Sequence, residues 1–570
     1  MTLKPGWNAV FLHVDAAHDT LDNLVNVPGN PIAEIWQWQP PLTTVQFTDN
    51  PLNSSLPSST WAQWKRTVVG VDTLVRLSGN AAYLVNNTNS VDFIWTVTGK
   101  PVPPRYEWSN QGLNLLGFST PAVNPPNFDV FTTPAPELKS TMEVYRYQGG
   151  ATPSPALLPS LIFPSVAVTR GQAFWVRAST NFYNRYFGPV EVTLQNSAGV
   201  HFSDSLGTYR VRLKNLTASA RTVTMNLLAS GTPPAGQPAI AGNTPLLVRG
   251  ALNTTNLSYS HTVLNTQHSF TLAAGGLDGS TIEVVLGLNR TAMTAPAGSG
   301  YAGILRLADT EGLSQIDLPV TATVADSSGL WIGDASVTQV GHYLKTYQRD
   351  ANGQPVVFTL TTNGAPYVAT ATNTSLGSVS RPFPLRLIIH NNSPSNAVNL
   401  LQRVFVGQRF STNVVVATKE SVLDVGTIGS ARRMTATHLP FALVNAPWPK
   451  TSGAFAQGST LVFNVLTDHN DHASNPFLHT FHPDHDNLKA DLRTVQVQGA
   501  ESYTVARQMQ LTFTAQGNDF AGLTAATRTF GGTYRETLSF RGLNGQSRDF
   551  TLTGTFVLYR VTPIATLTTN

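Results

Sequence analysis

The densest grouping of side chains able to do chemistry runs from Asp468-His-Asn-Asp-His472 through Asn475, His479, His482, Asp484, His485, Asp486 and Asn487. Five of the 13 histidines fall between His469 and His485. Asp468, Asn470 and Asp471 bring hard oxygen donors close together, and Ca²⁺ takes about six to eight of these. His479, His482 and His485 recur at three-residue steps beside Asp484 and Asp486. Imidazole nitrogens in that number suit Zn²⁺ or another borderline divalent metal. Pro476 and Pro483 punctuate the segment, which reads as a long loop. On a loop, such spacing does not force the ligands to converge. A third reading therefore needs no metal: His, Asp and Asn side chains satisfy backbone groups and turns. Calcium is the expected cofactor if one is held, with zinc or another divalent metal second. The segment is not an EF-hand, because the Gly at the sixth loop position and the closing Glu are missing.

Aromatic residues offer a second kind of chemistry. Trp36, Trp38, Trp61 and Trp64 cluster near the start of the chain. Rings of this size either fill a core or stack on sugars. Trp61 and Trp64 follow a Ser-rich stretch, so they are the pair expected to be exposed and to bind a glycan or another ligand. His13 and His18, near Asp15 and Asp19, read as structural. Gly298-Ser-Gly-Tyr-Ala-Gly303 matches the glycine pattern of dinucleotide sites, but the apolar run after it alternates like a strand. That site needs a helix there, so a turn is expected. Nucleophile elbows, His-Glu-x-x-His zinc motifs and phosphate loops do not occur. A non-enzymatic role is expected, with a secreted hydrolase as a distant alternative.

The background composition says what holds these residues. Of 570 residues only 12% are charged, against about 25% in ordinary domains. Long surface helices need charge on their outer faces, so a helical protein is excluded. Thr, Ser, Asn and Gln supply the polarity instead, which suits strand faces and turns. With 44 Gly and 37 Pro the chain has punctuation for many short strands. The formal charge is +4, yet the longest basic run is Arg432–Arg433, too little to track phosphates, and nucleic acid is excluded as a partner. There is no cysteine, hence no disulfide or thiolate site. No apolar stretch approaches the ~18 residues of a membrane-spanning helix. The start at Met1 has no signal-peptide core, and Met1 is expected to lie near a processing site or to be an added start.

An internal repeat gives the clearest organisation. Gly6-Trp-Asn-Ala-Val-Phe-Leu-His-Val14, Ile35-Trp-Gln-Trp38 and Gly79-Asn-Ala-Ala-Tyr-Leu-Val85 form one copy. Gly112-Leu-Asn-Leu-Leu-Gly-Phe118, Val144-Tyr-Arg-Tyr147 and Gly171-Gln-Ala-Phe-Trp-Val-Arg177 form the second. Alternating aromatics at 36 and 38, and at 145 and 147, fall on one face of a strand. The glycine before each closing strand fits a turn with positive φ. The pattern resembles the Gly-Trp-Asn ("GWN") β-modules of large secreted and cell-surface proteins of environmental bacteria, with Leu113 replacing the Trp in the second copy. The resemblance covers about a third of the chain and implies location more than activity.

Residues 1–100 and 101–183 are therefore expected to be tandem β-modules. Residues 184–325 carry alternating strands such as Tyr209-Arg-Val-Arg-Leu213 and Ile282-Glu-Val-Val-Leu286, and an immunoglobulin- or fibronectin-like sandwich is expected. Ala325–Gly329 reads as a linker, and residues 326–570, with Leu330-Trp-Ile-Gly333 near their start, are expected to be a further β-sandwich region, one domain or two, holding the 468–487 loop. That opening and the His-rich segment resemble terminal regions of large secreted bacterial proteins. One short helix is expected over Asp19–Val25, capped by Asp19 or Thr20. The sum is an all-β, extracellular structural protein, a self-associating subunit of a bacterial filament, surface layer or adhesive stalk. The alternative is a glycan- or ligand-binding surface module.

Overall fold

Alternating apolar residues and frequent turns should give sheets covered on at least one face, and the computed structural model is nearly all β. It describes residues 1–39, 61–66, 72–106, 113–147, 149–150, 155–157, 163–177, 188–265, 267–347, 368–371, 377–392, 397–400, 404–409, 414–417, 431–437, 450–467, 503–515, 519–524, 528–542 and 547–565. The chain forms two compact units, Met1–Val324 and Ala325–Asn570. The expected limits at 100 and 183 fall inside the first unit.

The first repeat supplies β1 (Gly6–Leu12), β2 (Ile32–Trp38), β3 (Trp61–Lys65) and β4 (Ala81–Asn87), in the antiparallel order β1-β4-β2-β3. The second supplies β5 (Leu113–Leu116), β6 (Glu143–Tyr147), β7 (Pro155–Leu157) and β8 (Phe174–Arg177), in the order β7-β6-β8-β5. In both repeats the Gly-x-Asn strand lies beside the closing strand, which lies beside the aromatic strand. The sequence repeat is thus a topological repeat. Asn8 and Asn114, the asparagines of the two motifs, are both buried. Asn8 accepts from the Lys4 N–H at 2.8 Å and donates to the carbonyls of Lys4 and Gly6 at 2.8 and 2.9 Å. The buried amide therefore fixes the chain's approach to β1 rather than sitting unsatisfied.

The two repeats do not keep separate cores. Trp7, Phe11, Trp36, Trp61 and Leu84 of the first share one cluster with Leu113, Phe128, Tyr147 and Trp175 of the second. Trp175 meets Trp38 at 5.5 Å and Trp61 at 6.2 Å between ring centroids, edge to face in both cases. Backbone bonds join the repeats as well: Trp7 N–H to Gly150 at 2.9 Å, Phe11 N–H to Gly171 at 2.9 Å and Ala173 N–H to Ala9 at 3.0 Å. These cover the outer edge of β1. The other face of the first sheet buries Val10, Leu12, Ile35, Trp64, Tyr83 and Val85 with Leu21 and Val25 of the helix α1 (Leu21–Val25). Every strand of this sheet is apolar on both faces for that reason. The N-cap of α1 is Thr20, without a side-chain cap, and Asp19 instead accepts from Thr20 N–H and the Asn23 amide, both at 2.7 Å. The positive φ before the closing strand belongs to Gly171 in the second repeat but to Asn80, not Gly79, in the first. Asparagine tolerates that region because its short amide can bond locally.

Residues 190–323 form a two-sheet sandwich. Its strands are β9 (Val190–Leu194), β10 (Val200–His201), β11 (Thr208–Asn215), β12 (Arg221–Ala229), β13 (Leu246–Asn253), β14 (Ser258–Val263), β15 (His268–Leu272), β16 (Thr281–Leu288), β17 (Gly300–Asp309) and β18 (Gln315–Thr323). One sheet runs β9-β11-β16-β13-β14 and the other β10-β18-β17-β12-β15. Val211, Leu213, Val248 and Leu286 of the first interdigitate with Val223, Leu305, Leu307 and Leu318 of the second. The Gly-x-Gly-x-x-Gly segment is a turn at Gly298 leading into β17, with no helix after it.

In the second unit, β19 (Gly329–Tyr347), β20 (Gly377–Asn392), β21 (Ala397–Leu400), β22 (Lys450–Ser452), β23 (Thr460–Thr467), β24 (Tyr503–Thr514), β25 (Thr529–Gly542) and β26 (Ser547–Thr562) pair in the order β22-β21-β20-β19-β26-β25-β24-β23. The strand Val368–Ala371 adds to β19. Strands Val404–Arg409, Val414–Ala417 and Ala431–Thr437 make a small separate sheet. The terminal strands β22 and β23 lie next to each other, so the large sheet curls around its own core. Trp331 sits 5.0 Å from both Phe455 and Phe530 there, and Phe513 joins Phe530 and Phe556. Gly333 faces inward where a Cβ would strike the Val557 carbonyl of the paired strand, so glycine lets the backbones close. Arg507 donates to Glu536 at 2.6 Å, and the Tyr534 hydroxyl donates to the same carboxylate, all three side chains facing the core.

Because Trp175 bridges two sheets, Trp175→Ala is expected to cost about 3–5 kcal/mol in the first unit. Urea unfolding followed by tryptophan fluorescence and by circular dichroism checks this. A loss below about 1 kcal/mol would mean that the repeats are stable separately.

Candidate functional site

Asp468, Asn470, Asp471, His479, His482, Asp484, His485 and Asp486 lie outside the described residues. Among the described residues, no group of three or more His, Asp or Glu is placed to hold a metal ion.

The expected exposed pair, Trp61 and Trp64, is buried, with 6% and 1% of its surface accessible. The spacing explains the correction. Residues three apart on a strand point to opposite faces, and both faces of this sheet are covered. Trp61 turns into the core shared by the repeats, 5.1 Å from Trp38. Trp64 enters the other core, and its Nε1 donates to Asp22 of α1 at 2.9 Å. No sugar-stacking platform can be built from this pair. Trp36 is buried beside Trp7, under the Lys65 ammonium at 5.1 Å.

The best-built polar site is one that sequence reasoning missed. Arg170, in the turn before β8, donates to the carbonyls of Thr120 at 3.1 Å and Gln315 at 2.9 Å, and to the Asp317 carboxylate at 3.0 Å. Arg306 of β17 reaches the same carboxylate at 2.7 and 3.2 Å. Gln315 N–H donates to Ser119 at 3.0 Å. Asp317 thus sits between two guanidiniums, and the second repeat is tied to the sandwich. These residues stand 147 positions apart in the chain, so no local motif announces them. The carboxylate is fully occupied by donors, which suits a structural clamp better than proton transfer.

His13 lies beside this clamp. Its ring packs 4.9 Å from Phe11, and its Nε2 is buried without a hydrogen-bond partner. Burial, with the nearby Arg170 cation as a second cause, lowers its pKa to about 3. Burial likewise raises Tyr106, next to Phe11 and Phe118, far above an ordinary tyrosine. Both groups are neutral near pH 7, so neither adds a charge to the Arg–Asp–Arg set.

A cleft of 390 Å³ opens elsewhere in the first unit, lined by His18, Leu24, Leu77, Trp95, Thr98 and Thr232. Small-ligand pockets span roughly 300–1,000 Å³. Leu77 and Trp95 are buried, and Thr96, Thr98 and Thr232 are exposed, so an apolar floor carries a hydroxyl rim. Trp95 is fixed by backbone bonds to Met1 at 2.8 and 2.9 Å.

No family model matches the chain, and no curated protein matches it. Solved structures similar over part of it include the Salmonella enterica SafA pilin in complex with the SafB chaperone, at 11% identity and TM-score 0.15, covering 44% of this chain and 96% of that one. A putative carbohydrate-binding protein from Bacteroides ovatus is similar at 9% identity and TM-score 0.12, covering 37% and 66%. The E. coli alpha-2-macroglobulin is similar at 9% identity and TM-score 0.14, covering 98% of this chain and 50% of that one. Scores this low assign neither a shared fold nor a function.

His13 gives a pH dependence with a definite sign. The unfolded chain binds a proton on this ring near pH 6.5, the folded chain only near 3. The unfolded state therefore holds more protons between those values, and stability falls as pH drops through that window. The expected slope is about 1.4 kcal/mol per pH unit below about 6.5. Unfolding free energies at pH 7, 6 and 5 should show that slope in the parent chain and lose it in His13→Gln. Parallel curves for the two proteins would refute the assignment.

Proposed function

We propose that this chain is a non-enzymatic extracellular structural protein, a subunit of a bacterial surface assembly such as a filament, surface layer or adhesive stalk. The observation that carries the reading is the ordering of uncharged polar side chains on the outer sheet faces. In the second unit Thr460, Thr512, Thr533, Thr555 and Ser336 stand opposite one another on five successive strands. The hydroxyls of Thr460 and Thr512 are 3.0 Å apart. Threonine favours strands, and hydroxyl rows lose less on desolvation than charged side chains do. A protein with 12% charged residues can bury such faces against neighbours with few ions to dehydrate. The first unit repeats one strand order, and the Gly-Trp-Asn pattern of its sequence resembles that of bacterial surface modules.

Electron microscopy of the purified chain, with and without a chelator, tests the reading. Ordered filaments or sheets are expected. If they dissolve on chelation, a structural metal becomes the explanation for the 468–487 segment. Dispersed monomers under both conditions would overturn the assembly reading.

The cleft at Trp95 favours a second reading, a glycan- or ligand-binding surface module. Its rim of threonine hydroxyls over an apolar floor suits a neutral, hydroxyl-bearing ligand. On that reading a glycan array gives hits that Thr98→Lys abolishes without lowering the melting temperature. An array without hits would remove it.

A further inference from the structure

We propose that β14 (Ser258–Val263) is a self-association edge, and that two copies pair their β14 strands antiparallel about a two-fold axis. Two five-stranded sheets would then join into one of ten. The inference rests on the assembly reading and specifies its first contact.

Three observations point to this edge. Among the described residues, β14 pairs with β13 on one side and with no strand on the other. An open edge displays unpaired N–H and C=O groups, and proteins usually guard it with charge or proline. Here the chain from Gly250 to Leu277 contains no Asp, Glu, Lys, Arg or Pro. The opposite edge of the same sheet, β9, carries Glu191, ion-paired with Lys214 at 3.8 Å.

The β13–β14 hairpin also leaves its apolar side chains in water. Leu252 is 43% exposed, Leu257 75%, Tyr259 40% and Val263 51%. Leu257, at the hairpin tip, is held at φ 53°, a region that costs a branched side chain energy and is typically kept where function requires it. The Arg249 guanidinium lies over the Tyr259 ring at 4.7 Å and stiffens it.

The strand sequence itself selects the occupant. Ser-Tyr-Ser-His-Thr-Val, turned antiparallel on its own copy about His261, sets Tyr259 opposite Val263 and Ser260 opposite Thr262. Aromatic with β-branched and hydroxyl with hydroxyl are favourable cross-strand pairs. Leu257 then falls diagonal to Val263 of the second copy. β14 itself has no Asp, Glu, Lys or Arg, so this pairing, in which His261 meets its own copy at the axis, sets no such charges opposite one another, whereas a charged partner strand would lose its solvation there. A second copy of the chain therefore matches the edge better than an acidic or basic partner.

Sedimentation velocity of the full chain over a micromolar concentration series tests this. The parent chain is expected to dimerise. Ser260→Lys with Thr262→Lys, which sets four cations face to face, should weaken the dimer by tenfold or more. Tyr259→Ser should weaken it without adding charge. Circular dichroism confirms that each variant is folded, and should the lysine pair fail to fold, Tyr259→Ser decides alone. Thr193→Lys, on β9, should leave the dimer intact. Association unaffected by both β14 variants overturns this edge and leaves the assembly reading standing. Association lost in Thr193→Lys as well would mean head-to-tail joining of β14 to β9, against two-fold pairing. A chain that stays monomeric throughout overturns both.

Discussion

The edge-to-face contact of Trp175 with Trp38 and Trp61 is the interaction on which the pairing of the two repeats depends. A four-stranded sheet with an apolar face cannot leave that face in water, and each repeat taken alone would do so. The repeats solve the problem for each other. Large aromatic rings bury roughly 150–250 Å² each, so a few of them dominate the energy of such an interface. Once the sheets face one another, the open edge of β1 is sealed by residues 150 and 171–173. The turn that carries Gly171 also carries Arg170, whose guanidinium reaches the sandwich. One aromatic contact thus sets the position of a polar one.

Much of this was legible from spacing. Period-two alternation marked the strands, the Gly-x-Asn motifs marked the repeat, and Leu330-Trp-Ile-Gly333 marked the opening of the last β region, where Trp331 anchors the second core. What spacing could not show was which faces would be covered. Trp61 and Trp64 looked exposed because of the serines before them, yet their separation of three already placed them on opposite faces. Both faces are buried only because a second repeat and a helix arrive from elsewhere in the chain. The Arg170–Asp317–Arg306 set was illegible for the same reason, since ion pairs across the fold leave no periodic trace. The short helices Phe128–Phe131 and Pro136–Thr141 were also missed. Their few turns are held by burial of Phe128, Phe131 and Leu138, not by propensity.

The second unit handles buried polarity differently. Its strands run to 19 residues in β19 and 16 in β20 and β26, far beyond the usual five or six. Long strands must coil, and an inward glycine such as Gly333 lets neighbouring backbones approach where they do. Inside the coil, Arg507, Glu536 and Tyr534 satisfy one another. Burial and the adjacent carboxylate raise Tyr534 well above its ordinary pKa, so its proton stays in place as a donor to Glu536. Losing any one of the three would strand the others in a dry interior, where an unpaired charge costs several kcal/mol.

The sealing of β1 has a consequence for how the protein is made. The strand leaves the ribosome before residues 113–177, yet its inner face and outer edge are completed only by them. At about 5–20 residues per second, the wait between β1 and β8 lasts on the order of ten to thirty seconds. Throughout that interval a nascent Gly-Trp-Asn-Ala-Val-Phe-Leu segment is sticky along the Trp7 and Phe11 face and the outer edge. A cell that synthesises this chain has to shield that segment, or keep it unfolded and in transit, until its second half arrives.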